Sequence, residues 1–65
     1  MLFPQRLKAC RKSKNLTQKQ MAEIMGVSEK QYQSYEYGKY EPSFEKLFFL
    51  AQYFNVTSDY LLGLE

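Results

Sequence analysis

Apolar residues recur every three or four positions along most of the chain, which is the spacing of one face of an α-helix. Along residues 28–37, a turn of 100° per residue places Tyr32 and Tyr35 on one side, which predicts that both rings are buried. The segment before it repeats the spacing at Met21, Ala22 and either Ile24 or Met25. Because no segment alternates apolar and polar residues as a strand does, the pattern predicts an all-α fold.

Residues that start and end helices divide this pattern into five parts. Stop residues that suit a left-handed backbone are Asn15, Gly26, Gly38, Asn55 and Gly63. Start signals alternate with them. Pro4 suits the first position of a helix, Thr17 with Gln20 and Ser28 with Gln31 match capping boxes, and Ser43 and either Thr57 or Ser58 suit caps. The sequence therefore predicts a compact bundle of five helices, near residues 4–14, 17–25, 28–37, 43–54 and 58–62.

The fourth predicted helix is the most apolar. One arc of it is expected to be buried: Phe44, Leu47, Phe48, Leu50, Ala51 and Phe54. Phe49 and Tyr53 lie one turn apart on the opposite side, so they form either a surface for a dimer or partner, or are covered by the C-terminal residues Leu61, Leu62 and Leu64. Cys10 has an apolar spacing from Leu7 and Phe3, which favours a small core residue over a redox sensor.

Composition narrows the classes of protein. A chain of 65 residues predicts one domain, 1–65. With one Cys and no His, no internal disulfide forms, no metal or cofactor is expected, and no pairing of a nucleophile with a base is visible, so the chain is not expected to be an enzyme. The N-terminal residues lack the apolar run of a signal peptide, and the longest apolar run is only residues 47–51, which predicts a cytoplasmic protein without membrane contact.

Charge is unevenly distributed although the net value is only +2. Residues 1–19 carry six Lys and Arg and no acid, whereas residues 20–65 carry three Lys against seven acids. A basic end on a small domain fits a footprint for phosphate, acidic protein or anionic lipid, and it also fits a solvated helix face. Charge alone does not decide between these.

The segment Gln18–Tyr37 resembles the helix-turn-helix of the Xre and phage-repressor (Cro-like) family. The matching positions are apolar Met21, small Ala22, apolar Met25, Gly26 at the turn, apolar Val27, and the buried Tyr32 and Tyr35. The likeness continues through LKACRKSKNLTQ, YEYGKYEPSFEKL and LAQYFNVTSDYLLG, so it covers roughly residues 5–63. It implies a lambda-repressor-like DNA-binding domain.

The resemblance also implies roles for single residues. The second helix of the motif reads base edges in the DNA major groove, which assigns Glu29, Lys30, Gln33 and Ser34 as base readers. Phosphate contacts are expected from Gln18, Lys19, Lys39 and Tyr40, with Ser43 a weaker candidate and Tyr37 either a phosphate donor or a cover for the loop. Lys12 and Lys14 are expected to add long-range attraction.

Family members commonly pair an Arg of the first helix with the Glu before the turn, which implies a partly buried, structural ion pair between Arg11 and Glu36. The function implied is a dimeric, sequence-specific regulator of transcription that binds double-stranded DNA, most simply a repressor on a palindrome. The alternative is an antitoxin-like or regulatory module whose main partner is a protein, with Phe49 and Tyr53 as anchors. The Glu on the groove-facing helix and the weak net charge keep this alternative open.

Overall fold

A computed structural model describes residues 2–64; Met1 and Glu65, the ends of the predicted 1–65 domain, lie outside the described residues. Within this range the chain forms five α-helices and no strand, so the predicted all-α fold is confirmed. In chain order they are α1 (Phe3–Ser13), α2 (Gln18–Met25), α3 (Glu29–Tyr37), α4 (Phe44–Phe54) and α5 (Ser58–Leu62). Each boundary lies within one residue of its prediction.

The helix ends show why the boundaries were predictable. The five predicted stop residues all have a left-handed backbone, with φ between 57° and 83°. Thr17 forms the complete capping box with Gln20, whose backbone N–H lies 3.0 Å from Thr17 Oγ1. The capping box predicted for Ser28 and Gln31 is only half formed. Ser28 Oγ accepts the backbone N–H of Gln31, but the Gln31 side chain donates to the Tyr35 hydroxyl at 2.9 Å.

The core is formed by buried side chains from all five helices. Its fully buried large side chains are Tyr32, Leu7, Met21, Leu50 and Leu61. Tyr35 and Cys10 are buried beside them, as their spacing predicts. Burial also raises the pKa of the Cys10 thiol, which disfavours the reactive thiolate and fits the core assignment.

The predicted burial of Phe44 and Phe48 is wrong. Phe44 is 79% exposed and Phe48 56% exposed, whereas Leu47, Leu50 and Ala51 are buried. The core of this small domain contacts only a narrow stripe of α4, and Phe48 lies about 100° away from Leu47 around the helix. Phe44 stands at the first position of α4, where the loop 38–43 leaves an open groove in place of a neighbouring helix.

Phe49 and Tyr53, the two aromatic residues expected on the outer side of α4, are less exposed than the pattern predicts. Phe49 is 39% exposed, and Tyr53 is half-buried and packs against the core. The rings of Phe49 and Tyr53 stack with centroids 5.9 Å apart, and Tyr53 meets Phe54 edge to face at 5.2 Å. The Lys14 ammonium lies 5.0 Å from the centre of the Tyr53 ring. Tyr53 is therefore engaged by its own chain.

Candidate nucleic-acid interface

The turn between α2 and α3 holds the two helices of the motif together with three residues. Gly26 ends α2 with φ +73°, and Ser28 caps α3. The backbone N–H of Val27 donates to the Ala22 carbonyl at 3.0 Å, which closes the turn. Ala22 is 2% exposed, and a larger side chain there would push the helices apart.

Arg11 of α1 and Glu36 of α3 form a bidentate ion pair inside the domain. Arg11 Nε donates to Glu36 Oε2 at 2.6 Å, and Arg11 Nη2 donates to Oε1 at 3.2 Å. Both residues are 8% exposed. Arg11 Nη1 donates further to the Leu16 carbonyl at 2.7 Å, so the same guanidinium holds the loop before α2. The arrangement ties α1, the loop and the end of α3 into one unit.

Glu36 also accepts hydrogen bonds from Tyr32 of its own helix and from Gln18 of α2. The Tyr32 hydroxyl donates to Oε2, and Gln18 Nε2 donates to Oε1 at 3.1 Å. Burial by itself would raise the pKa of Glu36, but these donors and the Arg11 charge outweigh it, so the pKa lies below its usual value. Glu36 is therefore a carboxylate at neutral pH.

Gln18 connects this buried network to the surface of α3. Its side chain donates to Glu36, and its Oε1 accepts from Gln33 Nε2 at 3.2 Å. The amide orientation of Gln18 is fixed by these two partners, because one needs a donor and the other an acceptor. One Nε2 proton of Gln18 is left for a further acceptor at the start of α2, where the helix dipole favours an anion.

The four residues predicted to read bases differ in exposure. Glu29 and Lys30 are exposed in the first turn of α3, and Gln33 and Ser34 are half-buried one turn later. Ser34 Oγ donates to the Lys30 carbonyl at 3.1 Å, and Gln33 is held by Gln18. The structure thus places two free polar side chains and two restrained ones along one helix.

The residues predicted to contact phosphate lie at the two ends of the motif. Lys19 is exposed in the first turn of α2, and Tyr37, Lys39 and Tyr40 are exposed at and beyond the end of α3. Ser43 is exposed too, but its hydroxyl caps α4 by accepting from the Lys46 backbone N–H at 3.3 Å.

A concavity of about 520 Å³ runs beside α3. It brings Lys30 and Ser34 together with Tyr40 from the following loop. It also includes Gln31 and Glu41, which the sequence reasoning did not assign to the site. Gln31 could have been considered because it follows Lys30 on α3. The apparent capping box with Ser28 assigned its side chain to the end of the helix instead.

Residues 2–64 contain neither a candidate metal site nor a helix that could span a membrane. No group of three or more His, Cys, Asp or Glu side chains could hold a metal ion there. None of the helices in that range has the length and apolar character needed to span a bilayer.

Known proteins match the chain over nearly all of its length. Residues 7–61 match the helix-turn-helix family. The transcriptional regulator YqaE of Bacillus subtilis is 41% identical over 61 residues, which cover 94% of this chain and 53% of that protein. The SPbeta prophage-derived regulator YonR of the same species is 41% identical over 94% of this chain and 56% of its own length. The transcriptional activator BcrR of Enterococcus faecalis is 42% identical over the whole chain and 32% of its own length.

The chain thus spans about half the length of the first two relatives and a third of the last. The resemblance that the motif residues carry is confirmed by these matches. Because helix-turn-helix domains are a DNA-binding and non-enzymatic class, the prediction that the chain is not an enzyme is confirmed with it. On its fold, its tight turn and these matches, the chain belongs to the helix-turn-helix family of Xre and Cro-like type.

Proposed function

We propose that this protein is a regulator of transcription that binds double-stranded DNA in a sequence-specific manner. It recognises a palindromic operator as a homodimer and represses by occupying a promoter. Its relatives YqaE and YonR are named as regulators of transcription. The proposal includes a cytoplasmic location, since the operator must be accessible to the protein.

The observation that carries this proposal is the way α3 is held. Its inner side is fixed by Arg11 of α1 and Gln18 of α2, which bind the Glu36 carboxylate, while Glu29 and Lys30 are exposed at its start. A helix fixed from behind and polar in front can enter a major groove without reorganising. Lys donates to guanine O6 and N7, and Glu accepts from cytosine N4, so these two side chains can discriminate bases.

Gln33 and Ser34 extend the proposed reading surface by one turn. Gln33 keeps one amide proton and its carbonyl oxygen when it donates to Gln18, so it can still pair with adenine in one fixed orientation. A phosphate bound at Gln18 would therefore orient a base-reading side chain at the same time. Lys19, Lys39, Tyr40 and, more weakly, Ser43 and Tyr37 supply the remaining backbone contacts.

We propose repression in preference to activation because a repressor that occupies a promoter needs only to bind DNA. Activation requires an added contact with the transcription machinery. BcrR carries the name of an activator, so the direction of control needs a reporter assay on the operator that selection recovers.

Selection of bound sequences from a random duplex library tests the proposal most directly. We expect a palindrome whose half-sites are one helical turn apart, about 34 Å, because two copies would present two α3 helices on one face of the duplex. The matched control is the Glu29→Ala, Lys30→Ala double variant, which should enrich a degenerate motif. A library that enriches nothing with the unmodified protein would contradict DNA reading and favour a protein partner.

A further inference from the structure

The side chains of Gln31 and Tyr35 form a bonded pair in the concavity beside α3. They stand one helical turn apart, and Gln31 Nε2 donates to the Tyr35 hydroxyl at 2.9 Å. Gln31 is exposed, whereas Tyr35 is only 3% exposed. Both residues line the concavity that also contains Lys30 and Ser34, two of the predicted base readers. The pair therefore lies on the surface that the proposed function turns towards DNA.

The Tyr35 hydroxyl holds the Gln31 amide through one of its two protons. Within residues 2–64 the Gln31 side chain makes no other hydrogen bond, so it keeps its second Nε2 proton and its carbonyl oxygen. The Tyr35 ring is itself fixed in the core, where it meets the Tyr32 ring edge to face with centroids 6.5 Å apart. Gln31 is thus anchored on a rigid partner and presents one donor beside one acceptor. Adenine offers the matching acceptor and donor at N7 and N6 in the major groove.

We propose that Gln31 is a further base-reading residue, and that Tyr35 is the residue that positions it. The free amide groups of Gln31 contact the edge of an adenine at one position of each half-site. The inference rests on the proposed function and deepens it, because it adds a residue to the proposed reading surface of Glu29, Lys30, Gln33 and Ser34.

The charge of the concavity favours a base edge over a phosphate as the partner of Gln31. Lys30 is the only cation among the described residues that line the concavity, and Glu41 lines it as well. A phosphate placed against Gln31 would share this space with the Glu41 carboxylate, and the two negative charges would repel each other. The edge of a base is uncharged and offers both donors and acceptors, so it meets no such repulsion.

A purely structural role of Gln31 predicts a different result. The hydroxyl of a buried tyrosine usually has a hydrogen-bond partner, and Gln31 supplies one for Tyr35. If this were its whole role, removal of the Gln31 side chain would lower stability and leave the choice between bases unchanged. Base preference is therefore the quantity that separates the two roles.

Titrations of the selected operator and of point-substituted operators measure this preference. Gln31→Ala should reduce the preference for adenine at one position about tenfold, as for the loss of a bidentate pair. The slope of log affinity against log salt should stay the same, because no phosphate contact is lost. Gln31→Glu should shift the preference at that position from adenine to cytosine, because a carboxylate accepts from cytosine N4 but cannot donate to adenine N7.

Tyr35→Phe tests the positioning role, because it removes the hydroxyl and keeps the ring. It should weaken the preference at the same position as Gln31→Ala does. The double variant should lose no more than Gln31→Ala alone, since the hydroxyl acts only through the amide. Tyr53→Phe removes the hydroxyl of a half-buried tyrosine on α4 and is the matched control, with every base preference unchanged. Urea unfolding of each variant establishes that it is folded under the conditions of the titrations.

The outcomes distinguish this inference from the proposed function. If the unmodified protein selects no sequence, both are wrong. If it selects an operator and Gln31→Ala leaves all base preferences unchanged, or weakens all sequences alike, the inference alone is overturned. A preference that changes in Gln31→Ala but not in Tyr35→Phe would overturn the positioning role of Tyr35.

Discussion

A single carboxylate, that of Glu36, fixes the geometry of the motif at the residue scale. It accepts hydrogen bonds from Arg11, Tyr32 and Gln18, which belong to three different helices. Among the described residues no buried side-chain polar atom lacks a hydrogen-bond partner. A buried ion pair adds little stability over an apolar pair when both are well packed, but removing one partner leaves a charge without compensation.

Arg11→Ala is therefore expected to lower the free energy of unfolding by about 3 kcal/mol at pH 7. In a domain of this size that lowers the midpoint of thermal unfolding by more than about 10 °C. Lys12→Ala changes an exposed residue of the same helix and serves as the control, with a loss near zero. Equal melts for the two variants would show that the pair does not hold the fold.

The same variant has a defined pH dependence. The folded pKa of Glu36 lies below the ordinary value of 4.5, so its contribution is fully present above that value and is lost as pH falls through the folded pKa. Once Glu36 is protonated, Arg11 has no carboxylate to stabilise. The difference in stability between unmodified protein and Arg11→Ala should therefore narrow as pH falls below about 4.5. A difference that stays constant down to pH 3 would exclude the ion pair as its source.

At the scale of the elements, the residues at the helix ends determine where each helix begins and ends. They explain how much of the fold the sequence could predict. Capping residues and left-handed stops act within four residues, so the ends of all five helices followed from local chemistry. The burial of side chains on α4 could not be predicted in this way. The spacing of apolar residues shows which face of a helix they share, but not whether another element covers that face. Phe44 has the right spacing for the core, yet it faces a loop.

The candidate site divides along the same line. The partner of Arg11 followed from resemblance to a family, since residues 25 positions apart are not linked by any local pattern. The Gln18 to Gln33 contact was not predicted, because it depends on how closely α2 and α3 approach. The bond from Gln31 to Tyr35 was missed because a local capping pattern offered a competing partner.

Substitutions of Gly26 test whether the turn between α2 and α3 requires a left-handed backbone. Its φ is +73°, and no atom beyond its two chain neighbours lies within 4 Å of an added Cβ, so Gly26→Ala meets only the conformational cost, about 1 kcal/mol. Gly26→Asn should lose less, because Asn tolerates this backbone, as Asn15 and Asn55 do here at φ 58° and 57°. Urea unfolding of the three proteins measures both. A Gly26→Ala protein as stable as the unmodified one would contradict a left-handed requirement at the turn.

At the scale of the whole molecule, the basic charge is separated in sequence from the proposed base-reading surface of α3. The excess of Lys and Arg lies in residues 1–19, while α3 carries only Lys30 against Glu29 and the buried Glu36. Lys14 is engaged at the Tyr53 ring, so part of the basic charge also serves packing. Attraction to a phosphate backbone and discrimination between bases should therefore be lost separately when single lysines are removed.

Lys30→Ala and Lys39→Ala are predicted to differ in kind. Lys30 is exposed at the start of α3. Its removal should reduce the free-energy preference for one base at one position of the operator by about 1–3 kcal/mol. Lys39, just past α3, should on removal weaken every sequence alike and reduce the slope of log affinity against log salt by about 0.9, the value for one phosphate contact. Lys46 lies near Glu45 and Phe49 in a separate hollow, so Lys46→Ala is the control that changes neither quantity. Titrations of the selected operator and of point-substituted operators at several salt concentrations measure both effects. Equal losses on every sequence for Lys30→Ala would reassign Lys30 to the phosphate backbone and leave base reading to Glu29, Gln33 and Ser34.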